Sequence, residues 1–342
     1  MERERRLGVS SWDANDFGAM HVRVAADPPL AFTGRLSGPA NTTDFRLYLP
    51  ELLEQYEARG GAVVIRSCEP AALEALGRRH DLVVVAAGRD FRGVFPADPA
   101  RSPHRAPARH LTAGLFHGLA WPEPVGIEFT LVPGGGEVLQ LPFHSLAGSV
   151  SAVAVNAVPG GPLSGLAQLD PAGDPAGFRA ALLGLLQMHV PSIHERIDRS
   201  AFELTGPLDL IQGQILPVVR QAWAALSDGK YALAIGDAWV VNDPVAAQGA
   251  NLGSRTACLL GDMIAAGGPY DERFCRQVED RLWQVAAAPT LLSNALLEPP
   301  SPPVVDVLVR ATQDPSVADR FVSGFGDPEG MLAMLAPERA AC

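Results

Sequence analysis

A short apolar run that stops at a glycine and restarts as a helix constrains this chain more than any other feature. Tyr231 to Ile235 reads as a buried strand, and Gly236-Asp237 ends it. Asn242-Asp243-Pro244 then turns the chain, and Gln248-Gly249-Ala250-Asn251-Leu252 opens an apolar helix that runs to Ala266. A strand that hands over to a helix in this way belongs to an open α/β sheet, whose ligands bind beyond the carboxyl ends of the strands. Gly236, having no side chain, lets a ligand approach the backbone. The Asp237 carboxylate can accept hydrogen bonds from hydroxyl groups. The first-turn N–H groups of Gly249, Ala250, Asn251 and Leu252 are free of intrahelical partners, and with the helix dipole they favour negative charge. A lone Gly-Asp pair carries no information, but this ordered set at this spacing does.

The rest of the chain divides by pattern. Phe17–Ala26 reads as a strand, and Leu30–Leu36 can return antiparallel to it. Asp44–Arg59 reads as an amphipathic helix with Leu49, Leu52, Leu53 and Tyr56 on one face, terminated by Gly60-Gly61. Ala62–Arg66 is expected as a short strand and Glu69–Leu76 as a short helix. Asp81–Gly88 has no alternation, which predicts a strand buried on both faces of a parallel sheet. Thr112–His117, Ile127–Val132, Glu137–Phe143 and Ser149–Val155 instead read as strands linked by tight turns in an antiparallel sheet, with Pro133-Gly134-Gly135-Gly136 as a hairpin turn. Pro175–His189 is a helix, Leu208–Leu216 another strand, and Asp271–Ala287 a second long helix. Met1–Leu7 looks like the last turns of a helix, stopped by Gly8.

Composition narrows the class. At 342 residues the chain fits two packed domains. No apolar run reaches the ~18–20 residues of a membrane span. A net charge of −11 argues against nucleic acid and anionic membrane surfaces as partners. Cys68, Cys258, Cys275 and Cys342 are scattered, which points to reduced thiols in a cytoplasmic protein. There is neither a His-Glu-x-x-His pattern nor a Cys/His cluster, so no metal is expected. Ser164 lies outside any Gly-x-Ser-x-Gly elbow, and Trp223, Trp239 and Trp283 read as core. His144, beside Phe143, reads either as a site residue or as a hydrogen-bonded strand histidine.

The segment 231–252 resembles the second flavin-binding motif of the group that includes para-hydroxybenzoate hydroxylase. It is more closely similar to that of the styrene and indole monooxygenases. Thr43 to Tyr48, Glu57 to Gly61, Asp81 to Gly88, Ile197-Asp198, Leu208 to Gly213, Pro217, Arg220 and Asp228-Gly229-Lys230 follow in family order, so the resemblance covers nearly the whole chain. It implies an α/β fold: a Rossmann-like three-layer FAD/NAD(P)-binding domain lacking its first β-α-β unit, with an inserted antiparallel-sheet substrate domain and C-terminal helices. The implied ranges are 1–18, 44–91 and 204–270 for flavin binding, 19–43 and 92–203 for substrate, and 271–342 for the helical end.

The implied activity is that of an FAD-dependent monooxygenase. Reduced FAD would come from a separate NAD(P)H-dependent flavin reductase, and one oxygen atom would pass to a small apolar alkene or aromatic. Gly236 and Asp237 would hold the ribityl chain, and Gly249, Ala250, Asn251 and Leu252 would face the flavin pyrimidine. Pro244 and Val245 would pack near the ring. Ala19, Met20, His21, Ala40 and Asn41 would line the substrate pocket. His21 reads as a wall or hydrogen-bonded strand histidine, and no residue is assigned as catalytic. A homodimer is compatible with the resemblance.

The phosphate-binding Gly-x-Gly-x-x-Gly turn of this fold is absent from the sequence. Relatives would carry roughly 50–60 residues ahead of Met1, enough for one β-α-β unit. Either the start lies further upstream, or the chain is a shortened remnant that binds small hydrophobic ligands and has weak or lost FAD binding.

Overall fold

The computed structural model describes residues 4, 7, 8, 16–88 and 90–336. The helix end expected at Met1–Leu7 lies largely outside them. In chain order the first elements are β1 (Phe17–Val24), β2 (Leu30–Ala40), α1 (Phe45–Ala58), α2 (Ala72–Gly77) and β3 (Val83–Val85). Four longer strands follow as β4 (His110–His117), β5 (Gly126–Val132), β6 (Gly136–Ser145) and β7 (Gly148–Ala157). Next come α3 (Pro175–His189), α4 (Pro191–His194), β8 (Glu203–Leu204), β9 (Leu210–Gln214) and β10 (Val218–Val219). Then β11 (Trp223–Ala225), β12 (Tyr231–Ala234) and β13 (Val240–Val241) lead into α5 (Gly249–Ala265) and α6 (Glu272–Ala295). Three helices end the chain: α7 (Pro302–Ala311), α8 (Pro315–Ser323) and α9 (Pro328–Leu335).

Two compact units form: residues 1–63, 108–214 and 299–342 make the first, and 64–107 with 215–298 the second. The first is built on one eight-stranded sheet of order β2-β1-β5-β6-β7-β4-β8, with β9 also pairing β4. Strands β5, β6 and β7 form a meander whose turns carry glycines at positive φ, Gly134 and Gly136 between β5 and β6 and Gly148 at the start of β7, whereas β4 crosses over and pairs with β7 rather than with β5. The β1–β5 pair alone runs parallel, with Met20 opposite Ile127 and Val22 opposite Phe129. One face of the sheet packs Val138, Val153 and Val155 against Phe178, Leu182 and Leu186 of α3. That helix starts where expected, with Pro175 in the first turn and the Asp174 carboxylate accepting from the Gly177 N–H. Helix α8 lies on β2 so closely that a methyl on Gly34 would sit 2.5 Å from the Ala318 oxygen.

A polar lock is buried in the same sheet. Glu128, 0% exposed, accepts from Arg23 Nε at 3.1 Å, from Arg196 Nη2 at 2.7 Å and from Ser192 Oγ. Arg196 also donates to Gln140 Oε1 at 2.5 Å, and the Gln140 amide donates to Ser151 Oγ at 3.0 Å. Strands β1 and β5 and helix α4 are thereby joined through one carboxylate, and Arg196 and Gln140 carry the network on to β6 and β7.

The second unit has a three-stranded sheet of order β11-β12-β3, in which β12 and β3 are parallel and β11 is antiparallel. Its core sets Val83, Val85, Leu233 and Trp239 against Leu252 and Leu260 of α5 and Val278 and Leu282 of α6. Helix α6 continues through Pro289 to Ala295, eight residues beyond the expected end.

Two apolar expectations are corrected, and a third element forms as expected but uncovered. Ala62–Arg66 forms no strand; Val64 and Ile65 are exposed, and no neighbouring strand among the described residues supplies backbone partners. Strand β3 is short and lies at a sheet edge, with Val84 40% exposed, so it is not covered on both faces. Helix α1 forms at the expected place, but none of its residues is buried; Phe45, Leu49, Leu53 and Tyr56 are each about half exposed. No helix among the described residues is long and apolar enough to cross a membrane.

Candidate functional site

In the second unit, strand β12 buries Ala232, Leu233 and Ala234 completely. It ends at Gly236, whose φ of +55° is the left-handed conformation that glycine adopts without cost. A Cβ built there would meet nothing within 4 Å, so backbone conformation rather than crowding calls for glycine, and the space beside it is open. Asp237 follows, exposed. Its main-chain oxygen accepts from Arg220 Nη1 at 3.1 Å, and the Trp239 N–H closes the turn on the Gly236 oxygen at 2.9 Å.

The chain then turns at Asn242-Asp243-Pro244. Asp243, 1% exposed, accepts from the Val245 N–H at 3.0 Å and so caps the short helical turn Pro244–Ala246. Ala247 sits at φ +52°, a left-handed position that costs an L-residue about 1–2 kcal/mol. The buried Gln248 side chain donates to the Ala246 oxygen at 2.8 Å. Helix α5 then begins at Gly249 and packs against the Gly236–Ala238 turn.

No side chain caps α5. The N–H groups of Gly249, Ala250 and Asn251 have no partner among the described residues, and all three residues are exposed. The fourth expected donor is corrected: the Leu252 N–H is taken by the Gln248 oxygen at 2.8 Å, and its side chain is core. Pro244 is exposed, whereas Val245 is 2% exposed and its N–H is held by Asp243. Sequence reading missed Asn242. Its amide is buried with neither nitrogen nor oxygen partnered among the described residues, and an Asn before Asp-Pro gives no signal of that.

The residues expected at the substrate wall lie in the first unit. Ala19, Met20 and His21 are consecutive on β1 and all buried. Because a strand alternates, Ala19 and His21 share one face and Met20 takes the other. His21 is held at both nitrogens: Nε2 lies 2.8 Å from the Pro124 oxygen and so carries the proton, and Nδ1 accepts from Thr33 Oγ1 at 2.9 Å. Ala40 pairs with Phe17 at the far end of β2. The Asn41 amide donates to Asp16 at 3.1 Å and its oxygen accepts from Thr43 Oγ1 at 2.6 Å. Next to it the Thr43–His144 bridge joins the start of α1 to β6, and His144 Nδ1 is buried without a partner among the described residues. Asp44 caps α1 through the Arg46 N–H at 2.8 Å, and the Arg46 guanidinium holds its carboxyl below the usual range. Among the described residues no group of His, Cys, Asp or Glu could hold a metal ion.

Among solved structures, the flavin-dependent brominase Bmp2 in a triple-mutant form matches 99% of this chain and 84% of its own, at a TM-score of 0.63 and 13% identity. The p-nitrophenol 4-monooxygenase PnpA from Pseudomonas putida DLL-E4 matches 99% and 88%, at 0.57 and 10% identity. Those likenesses establish the fold. Residues 88–196 match the domain described as "Styrene monooxygenase A putative substrate binding domain". Styrene monooxygenase StyA of Pseudomonas fluorescens is 34% identical over 336 residues, covering 96% of this chain and 81% of that protein. The chain belongs to the styrene monooxygenase family and is a flavin-dependent monooxygenase.

Proposed function

We propose that this chain binds FAD at the β12–α5 corner and uses it, reduced by a separate NAD(P)H-dependent flavin reductase, to oxygenate a small apolar alkene or aromatic of the styrene or indole type. The observation that carries this reading is the uncapped first turn of α5. Three outward N–H donors, from Gly249, Ala250 and Asn251, lie on a helix packed against a glycine with open space beside it. Such a cradle suits the negative charge that reduced flavin carries on its pyrimidine edge. The Asp237 carboxylate, exposed beyond the strand, would accept from the ribityl hydroxyls, and Gly236 would let that chain lie against the backbone.

When bound and reduced, the flavin supplies the electrons that activate dioxygen. The protein's task is then positioning and exclusion of water. We assign flavin binding to the second unit and the substrate wall to the sheet of the first, with Ala19, Met20, His21, Ala40 and Asn41. His21 donates no proton to substrate in this reading, because its Nε2 proton is held by the Pro124 oxygen. The scattered cysteines and acidic composition fit a cytoplasmic setting.

The test is anaerobic titration of the purified chain with reduced FAD, then admission of air with styrene or indole and quantification of oxygenated product. Saturable binding, weakened about ten- to a hundredfold in Asp237→Ala, is expected from loss of charge-assisted hydrogen bonds. Absence of flavin binding would refute the cofactor site. Binding without oxidation of either substrate would refute the substrate class alone.

A further inference from the structure

Helix α1 wears its most apolar stripe on the outside. Phe45, Leu49 and Leu53 follow one another at every fourth residue, and Tyr56 comes three further on, so the four share one face. Each is about half exposed. The half-buried side is mixed: Leu47 and Leu52 lie there, but so do Tyr48, Glu51 and Gln55, and the Gln55 amide donates to Glu51 at 3.2 Å. An amphipathic helix ordinarily buries its apolar stripe.

Two neighbours extend the stripe within the same unit. The Thr43–His144 bridge brings the β6–β7 turn beside the first turn of α1, and Leu146 in that turn is exposed. Arg46 Nη2 reaches Asp209 at 2.5 Å, which draws the segment 208–211 alongside, with Leu208 and Ile211 exposed. Ile211 lies on β9, which pairs only with β4 and leaves its other edge open among the described residues. At these exposures the seven side chains leave roughly 800 Å² of apolar surface uncovered. Soluble monomers rarely carry a patch beyond a few hundred Å². About 800 Å² is the share each partner brings to a standard interface.

Charge narrows the occupant. With a net charge of −11, two copies repel over most of their surface, and an uncharged stripe is where they can meet. Asp44 and Asp209 beside it are both paired with Arg46. Glu54 and Glu57, exposed toward the far end, disfavour an anionic lipid surface. The stripe is also its own complement. About a midpoint near residue 51, an antiparallel second copy sets Leu49 against Leu53 and Phe45 against Tyr56. Arg46 and Glu57 lie about three turns apart on one flank, so antiparallel pairing brings each toward the other, while parallel pairing sets like charges together.

We propose that α1 is the centre of a two-fold interface at which a second copy of this chain docks antiparallel.

The experiment follows the mass of the full chain by sedimentation velocity across about a hundredfold range of concentration. The expected result is a concentration-dependent dimer. Leu53→Gln weakens it about tenfold, and Leu49→Glu/Leu53→Glu removes it. Glu57→Arg weakens it about threefold or more at low salt, and less at raised salt. In protein dilute enough to be monomeric, Leu53→Gln unfolds in urea together with the parent, which separates loss of the contact from loss of the fold. A chain that stays monomeric throughout overturns the proposal. So does a dimer that survives Leu49→Glu/Leu53→Glu, because another face then makes it. If that double variant fails to fold by circular dichroism, Leu53→Gln decides the matter. The chain is expected not to float with phosphatidylcholine vesicles; a monomer that floats has a lipid surface as its occupant, and the second copy is refuted.

Discussion

Substituting Glu128 with Leu should unfold the sheet unit far more readily than its single-residue scale suggests. The carboxylate is fully buried and receives Arg23 at 3.1 Å, Arg196 at 2.7 Å and the Ser192 hydroxyl. Removing it leaves Arg196, about four-fifths buried, with main-chain and Gln140 acceptors but no counter-charge. Breaking one partner of a buried pair costs about 3–5 kcal/mol, whereas replacing both by apolar groups is close to neutral. For a unit of roughly 200 residues each kcal/mol moves Tm by about 2–4 °C, so a fall of about 6–20 °C is expected. Differential scanning calorimetry is the assay, because two units need not melt as one transition and the affected one can be followed separately. The double variant Glu128→Leu/Arg196→Met should recover most of the loss. A single variant that melts within a degree or two of the parent, or a double variant no better than the single, would refute the account of this lock.

Asp44→Ala should cost about 1–2 kcal/mol at neutral pH, through the lost helix cap and Arg46 contact. The folded carboxyl titrates below its unfolded value, so this stability is present above the usual carboxylate range and is lost as pH falls through the folded value. Urea melts should therefore show the variant and parent converging at acid pH. In native Ellman titration, Cys68 should react promptly because it is exposed. Cys275 should stay silent until denaturant is added: burial, with Asp271 and Glu272 nearby, pushes its thiol up to about 11. Leu53→Gln should change stability by less than about 0.5 kcal/mol in urea melts, because the side chain is already half exposed and leaves no cavity.

Sequence reading succeeded where the determinants were local. The strands β4–β7 and the β5–β7 hairpins were legible because short apolar runs and positive-φ glycines act within a dozen residues, but the crossover that sets β4 beside β7 was not. Helix α3 was legible from Pro175 and its apolar stripe, and the 231–252 handover from its order of glycine, acid and helix start. Failures came where a distant neighbour decides. Val64 and Ile65 have strand-forming side chains, but a strand needs a partner and none adjoins them among the described residues. Leu49, Leu53 and Tyr56 made a correct stripe, yet a stripe does not say whether anything covers it. The second long helix was expected to stop at Ala287, because the sequence does not reveal that α6 is held by core contacts on both sides of Pro289. In the site, four donors were expected at α5 and three are free, since the exact first residue of a helix is set by the preceding turn. Arg220 stood in family order, but its burial without a counter-ion could not be read from its neighbours.

The lone parallel pairing of β1 with β5 sets an order of events during synthesis. The β1–β2 hairpin leaves the ribosome before β5, the strand it must dock against, which follows about a hundred residues later, and closing so long a loop is slow. Until β5 and β6 have zipped together, the inner edge of β1 is an open row of amides and carbonyls beside buried-type side chains. Pairing of β5 with β6 and β7 is therefore expected before the capture of β1. Chaperone dependence should track the lifetime of that waiting hairpin rather than final stability.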